Sequence, residues 1–223
     1  MIYLPGSLLL FLILLLLLPF LGLALAVDIV QTAAEKLGFS PEMGLLLLLA
    51  VIVGSTVNIP LYSVQSTVPI ADDFVTYFIR QYRGIPLHRV QQKTVIALNV
   101  GGCLIPVALA IYQIFHASFA AILVTTAIVT VASYFAAQVV PGIGIQMNPL
   151  VSPLVAAVTA TLVAAGDTTA PVAFAGGVLG TLVGADLLHL REIETRTAGV
   201  LSIGGAGVFD GIALCGLLAL LLS

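Results

Sequence analysis

The run LLLFLILLLLLPFLGLALA over residues 8–26 fixes what this chain can become. No soluble core accommodates such a stretch, and about 18–20 apolar residues suffice to cross a hydrocarbon layer roughly 30 Å thick. Comparable runs recur along the chain, at about 4–27, 44–61, 94–115, 118–140, 150–165, 171–190 and 199–222. Charged residues make up only 8% of the 223 positions, against about 25% in soluble domains. The expectation is an all-α, polytopic transmembrane bundle of about seven spans, with residues 1–223 forming one integral membrane domain. Ala24-Leu25-Ala26 has the form of a signal-peptide cleavage site, but no Lys or Arg precedes the first run, so it is read as a retained span.

Basic residues orient the spans. Arg80, Arg83, Arg89 and Lys93 lie in 62–93, Arg191 and Arg196 in 191–198, and only Lys36 falls on the other side. The positive-inside rule then places the first two segments in the cytoplasm, with a cytoplasmic N-terminus and an external C-terminus in the cell (inner) membrane. Within 62–93, Phe74, Tyr77, Phe78 and Tyr82 fall near helical spacing with the basic residues behind them. That pattern suits an amphipathic cytoplasmic segment whose partners are membrane lipids. A net charge of −3 offers no basic face for nucleic acid. Cys103 and Cys215 sit in apolar runs and read as buried thiols. No metal-binding, phosphate-binding or cofactor motif is present, so no metal or cofactor is assigned.

Most acidic residues lie in connections or at span ends; Asp167, in GDTTAP, reads as the cap of the span that starts near Pro171. Asp186, in GTLVGADLLHL, and Asp210, in GGAGVFDGIAL, are different. An Asp at a helix centre costs about 2.5–3.5 kcal/mol on insertion scales, so two of them demand partners, a wet cavity or protonation. Spans six and seven are consecutive and antiparallel, so the carboxylates can face each other across one hairpin. Gly176, Gly180 and Gly184 form a stripe that lets a second backbone approach. Gly204, Gly205 and Gly207 predict an unwound turn through which a substrate backbone or an ion reaches Asp210, with Ser202 available as a hydrogen-bonding partner. His189, three residues after Asp186, would share its helix face and bond to it. Asn58-Ile59-Pro60 and Asn148-Pro149 interrupt the apolar pattern, either as kinks or as marks of an inverted repeat.

The stretch from NPLVSPLVAAV through VGADLL to GGAGVFDG, about the last 80 residues, resembles the C-terminal signature of an uncharacterised membrane-protein family of bacteria and archaea, a domain of unknown function. That resemblance implies a polytopic fold and weights the two Asp positions, without an activity. A looser likeness is to intramembrane aspartyl proteases of the presenilin and prepilin-peptidase kind. There Phe209-Asp210 is similar to their Tyr-Asp, and Gly184-Ala185-Asp186 to part of their G-x-G-D. The likeness implies a catalytic pair, Asp186 and Asp210, acting on a membrane-embedded peptide. The residues themselves leave two functions open. One is such a hydrolase; the other is a proton- or cation-coupled transporter or channel for a small ion or solute, using the same pair.

Overall fold

The computed structural model describes residues 6–69, 89–140, 144–196 and 199–205. Asp210 and Gly207, the aromatic residues of 70–88, and Cys215 lie outside the described residues. The chain divides into two compact units, Met1–Leu49 and Ala50–Ser223.

In the first unit, helix α1 (Gly6–Lys36) ends where Gly38 adopts a positive φ of 82°. The Phe39 N–H bonds the Ala34 carbonyl at 2.8 Å and the Gly38 N–H bonds that of Glu35 at 2.9 Å, a Schellman closure that only glycine enters without strain. Ser40 then caps helix α2 (Pro41–Gly54), its Oγ accepting the Met43 N–H at 3.3 Å. Gly44 lets α2 ride directly against Ala34 of α1. Leu15–Leu18, Phe20, Leu21, Leu23 and Leu25 are all more than half exposed. A helix that is apolar on every side and unburied in its own unit is suited to lipid.

Among the described residues, three helices are long and apolar enough to cross a membrane, at Leu15–Lys36, Phe119–Ala136 and Gly166–Glu194. The expected span over 44–61 is corrected: α2 stops at Gly54, about 21 Å from its start at 1.5 Å per residue, and the chain turns into strand β1 (Asn58–Pro69). The expected amphipathic segment likewise begins and ends in extended structure, in β1 and in β2 (Arg89–Asn99). The first residues of the expected span over 94–115, up to Asn99, are the end of β2, and the span over 199–222 opens with β5 (Gly199–Ile203). In β1 and β2 the cause is local. Tyr62-Ser63-Val64-Gln65 alternates apolar and polar residues with a period of two, and Thr94-Val95-Ile96 is a β-branched run beside polar Gln92-Lys93, which fits a sheet better than a helix. The all-α expectation therefore gives way to a mostly helical fold that contains a sheet.

β1 pairs antiparallel with β2 from Asn58↔Asn99 to Pro69↔Arg89, with a register shift between Pro60 and Tyr62. β2 pairs parallel with β5, so β2 is central and buries Thr94, Ile96 and Ala97. A parallel pair cannot be joined by a tight turn, and here the crossover is the helical bundle itself. A π-helical turn (Val100–Leu104) leads into α3 (Ile105–Ile114). Then follow α4 (Phe119–Ala136), the short hairpin β3 (Gln138–Val140) and β4 (Gly144–Gln146), and α5 (Val151–Val163). Helix α6 (Thr169–Thr181) continues through a second π-helical turn (Leu182–Leu187), and α7 (Leu190–Arg196) precedes β5. The sheet thus lies at the end of the bundle where α3 begins and α6 stops.

α6 is the core of the bundle: every residue from Thr169 to Val178 is buried. A Cβ added at Gly176 would fall 2.6 Å from the Cβ of Thr125, and one at Gly180 equally close to that of Val129. At Gly184 it would strike the Thr130 carbonyl, with the Ser133 Cβ at 2.9 Å. The stripe does bring backbones together, and among the described residues its partner is α4. Ser133 of α4 and Ser152 of α5 share a buried hydrogen bond of 2.8 Å. On the other side of α4, Phe119, Leu123, Ile128, Val131 and Phe135 are exposed and form an apolar outer face.

Asp167 does not cap α6. It sits exposed in a 3-10 turn (Gly166–Thr168), and the capping position belongs to Thr168. The hydroxyls of Thr168 and Thr169 bond the carbonyls of Ala165 and Gly166 instead, at 2.9 Å each.

Candidate functional site

Three interruptions of regular structure meet at the sheet end of the bundle. The first is the π turn that follows β2. Asn99 is buried and caps it: its Oδ1 accepts the Gly102 N–H at 2.6 Å. The two N–H groups of its Nδ2 reach the Ser55 carbonyl at 2.8 Å and the Asn58 Oδ1 at 3.1 Å. One amide side chain thus ties the end of α2 to the start of β1 and to the entry of α3. Gly101 permits this closeness, since a Cβ there would collide with the Val51 carbonyl and the Ser55 amide.

The second interruption is the turn after β5. The Gly205 N–H returns to the Ser202 carbonyl at 2.9 Å, and Gly204 has a φ of 70°. Among the described residues no non-glycine has positive φ, so Ile203 is in the ordinary region and the turn follows the type II pattern, which calls for glycine at its third position. Ser202 donates its hydroxyl to the Asn58 Oδ1 at 2.5 Å, binding the turn to the Asn99 cluster. A Cβ at Gly204 would lie 2.6 Å from the carbonyl carbon and oxygen of Gly102 and 2.9 Å from the Cβ of Cys103.

The third is the π turn at the end of α6, which carries Asp186. Its carboxylate is buried, 3% exposed, and Oδ2 accepts the Gly204 N–H at 2.7 Å. In a type II turn that N–H is not used by the turn's own hydrogen bond, so it is free to point outward. A carboxylate in a low-dielectric interior must be hydrogen-bonded or neutralised, and here the donor is a peptide N–H from a broken strand. π turns recur at functional positions because they re-aim side chains within a helix. In this chain two of them face each other across Gly204.

The expected bond between His189 and Asp186 is not what holds His189. Its Nδ1 lies 3.1 Å from the Gly184 carbonyl and 3.0 Å from that of Ala185, and its ring stacks on Tyr134, centroids 4.8 Å apart. The i, i+3 argument assumes α geometry, and the π turn between the two residues breaks it. Of the site residues expected from sequence, Asp186, Gly204, Gly205 and Ser202 are brought together. Gly184 serves helix packing, and Asp210 and Gly207 lie outside the described residues. Asn58, Asn99, Gly101, Gly102 and Cys103 were missed as site residues; the break at Asn58-Ile59-Pro60 marked only the first of them. Among the described residues, no group of three His, Cys, Asp or Glu side chains is placed to hold a metal ion.

At the sheet end, Tyr62 of β1 donates its hydroxyl to Glu194, the last residue of the Gly166–Glu194 segment, at 2.6 Å. The bond to that carboxylate pushes the phenol above its ordinary value. It fastens the antiparallel arm to the segment just beyond Asp186.

These features define a class: helical proteins with membrane-length segments, a small mixed sheet at one end and a buried carboxylate anchored where helices and strand break. The chain belongs to the family described as protein of unknown function (DUF1614), whose model matches residues 52–222, nearly all of the second unit. No curated protein and no solved structure matches it.

Proposed function

We propose that this protein is a proton- or cation-coupled transporter or channel of the cell membrane, with Asp186 as the carboxylate that takes up and releases the proton or ion. One observation carries the reading: a buried carboxylate whose bonding partner is a backbone N–H, at a point where two π turns and a glycine turn interrupt the regular structure. Discontinuous segments of this sort are how membrane transporters present peptide groups and carboxylates to an ion inside the bilayer. A second reading is an intramembrane aspartyl hydrolase with Asp186 and Asp210 as its acid and base. The Gly204–Asp186 bond favours it to one extent: it holds Gly204 beside Asp186, and Asp210 is six residues beyond Gly204 in the sequence.

Reconstitution separates the two. In proteoliposomes with an imposed pH or monovalent-cation gradient, the purified protein should dissipate the gradient and leave a membrane-embedded peptide intact. Peptide cleavage without any gradient would replace the transport reading by the hydrolytic one.

The sheet end, which carries Lys93 and Arg191, is proposed to face the cytoplasm, with the N-terminus on the same side and the C-terminus outside. With Cys103 and Cys215 replaced by Ala, a cysteine appended after Ser223 should react with an impermeant thiol reagent in intact cells. Reaction only after lysis overturns the orientation.

A further inference from the structure

We propose that His189 is a positioning residue for Asp186: its imidazole holds open the π turn that aims the carboxylate at Gly204. The inference rests on the reading of Asp186 as the working carboxylate and adds the part that sets its geometry.

The π turn Leu182–Leu187 ends with the Leu188 N–H bonded to the Val183 carbonyl at 3.0 Å, five residues back. The helix then breaks at Leu188-His189 before α7 resumes. The register leaves the carbonyls of Gly184 and Ala185, both buried, needing donors in an apolar interior, where an unmet polar group is costly. The His189 ring supplies the donor. A carbonyl can only accept, so Nδ1 must carry the proton, shared between Gly184 and Ala185 at 3.1 and 3.0 Å. The stack on Tyr134 of α4 fixes the plane of the ring. His189 is thus a side-chain cap on the broken end of α6, and Asp186 lies inside the turn it stabilises.

Without the ring, the same carbonyls are met most directly by closing the bulge. In α register the Leu188 N–H would reach Gly184 and the His189 N–H would reach Ala185. Removing one residue's worth of winding turns the chain beyond it by about 100°. Asp186 then loses its aim at the Gly204 N–H. Such a displacement is enough to cost a reaction or a binding step about 100-fold when the group must sit within about an ångström of its place.

The test uses the full-length protein in nanodiscs with two readouts. The first is the infrared band of the Asp186 carboxyl group, assigned by its loss in Asp186→Asn. The second is gradient dissipation in proteoliposomes. His189→Ala should move the band, as the Gly204 hydrogen bond is lost, and lower the flux at least about tenfold. His189→Gln, whose side-chain N–H can reach the same carbonyls, should restore both. An unmoved band in His189→Ala overturns the proposal, and so does a His189→Gln protein that behaves like His189→Ala. If the wild type shows no flux but the band moves and is rescued, the positioning role stands and the transport reading fails. Should His189→Ala not fold, nitrogen NMR of the wild type decides. The His189 signals, assigned by their loss in His189→Gln, must show the proton on Nδ1, and a proton on Nε2 alone overturns the proposal.

Discussion

Replacing Asp186 by Asn should lower coupled flux by at least about 100-fold, the scale on which a positioned proton-exchanging side chain acts, while leaving a folded protein. Asn retains the volume of Asp, and its Oδ1 can accept the Gly204 N–H that Oδ2 accepts now at 2.7 Å. What it cannot do is bind and release a proton at neutral pH, or offer a negative charge to a cation. The substitution therefore separates chemistry from architecture. If the carboxylate were only a cap for the broken strand, Asn would serve nearly as well, and a variant with wild-type flux would end the assignment of this site. Flux measured beside thermal unfolding in the same detergent gives both halves of the comparison.

The largest expected loss of stability comes from Gly204→Ala, about 2–5 kcal/mol. Two contributions add. A non-glycine residue held at a φ of 70° costs about 1–2 kcal/mol. Forcing a methyl group against the Gly102 carbonyl and Cys103 adds about 1–3 kcal/mol, because backbone and not a flexible side chain must move. Gly166→Ala is the control. Its φ of 56° imposes similar strain, but a Cβ there meets nothing within 4 Å. Denaturant unfolding in mixed micelles should place Gly204→Ala well below Gly166→Ala, and the gap measures the close approach alone. Equal losses would mean that the contact between the two turns carries no weight.

Much of the bundle is legible in the sequence. The apolar runs of α4, of α5 and of α6 with its π turn coincide with helical segments to within a few residues, because sustained hydrophobicity is what an apolar helix mainly needs, although α5, at 13 residues, is shorter than a membrane-length helix. The sheet is not legible by the same measure. Hydropathy summed over a window ignores period and β-branching, so the alternation in Tyr62–Gln65 and the β-branched run Thr94–Ile96 are absorbed into neighbouring apolar segments. Asp186 announces itself because a carboxylate in such a setting demands a reason. Gly204-Gly205 announces a break, though it proves to be a turn leaving a strand and not an unwound helix. The Asn99 cluster gives no local sign: its partners Ser55 and Asn58 lie more than 40 residues away and are joined to it only by the pairing of β1 with β2. The role of His189 is misread for a different reason. Sequence spacing converts to a shared face only if the helix keeps its register, and a π turn is invisible until the backbone is traced.

The parallel pairing of β2 with β5 has a consequence for the order of assembly. Thr94 lies opposite Gly199 and Leu98 opposite Ile203, so a ladder of five residue pairs closes a loop of about 100 residues. Closing a flexible loop of that length costs on the order of 4 kcal/mol in chain entropy before any bond is gained. So short a ladder cannot lead. The helices between must already be packed, their ends already brought near, before β5 gains by joining. The hydrogen bond between Gly204 and Asp186 is accordingly among the last to form as the chain folds. Completing the site then reports that everything between the two strands is in place, and a chain halted earlier carries a buried carboxylate with that partner still missing.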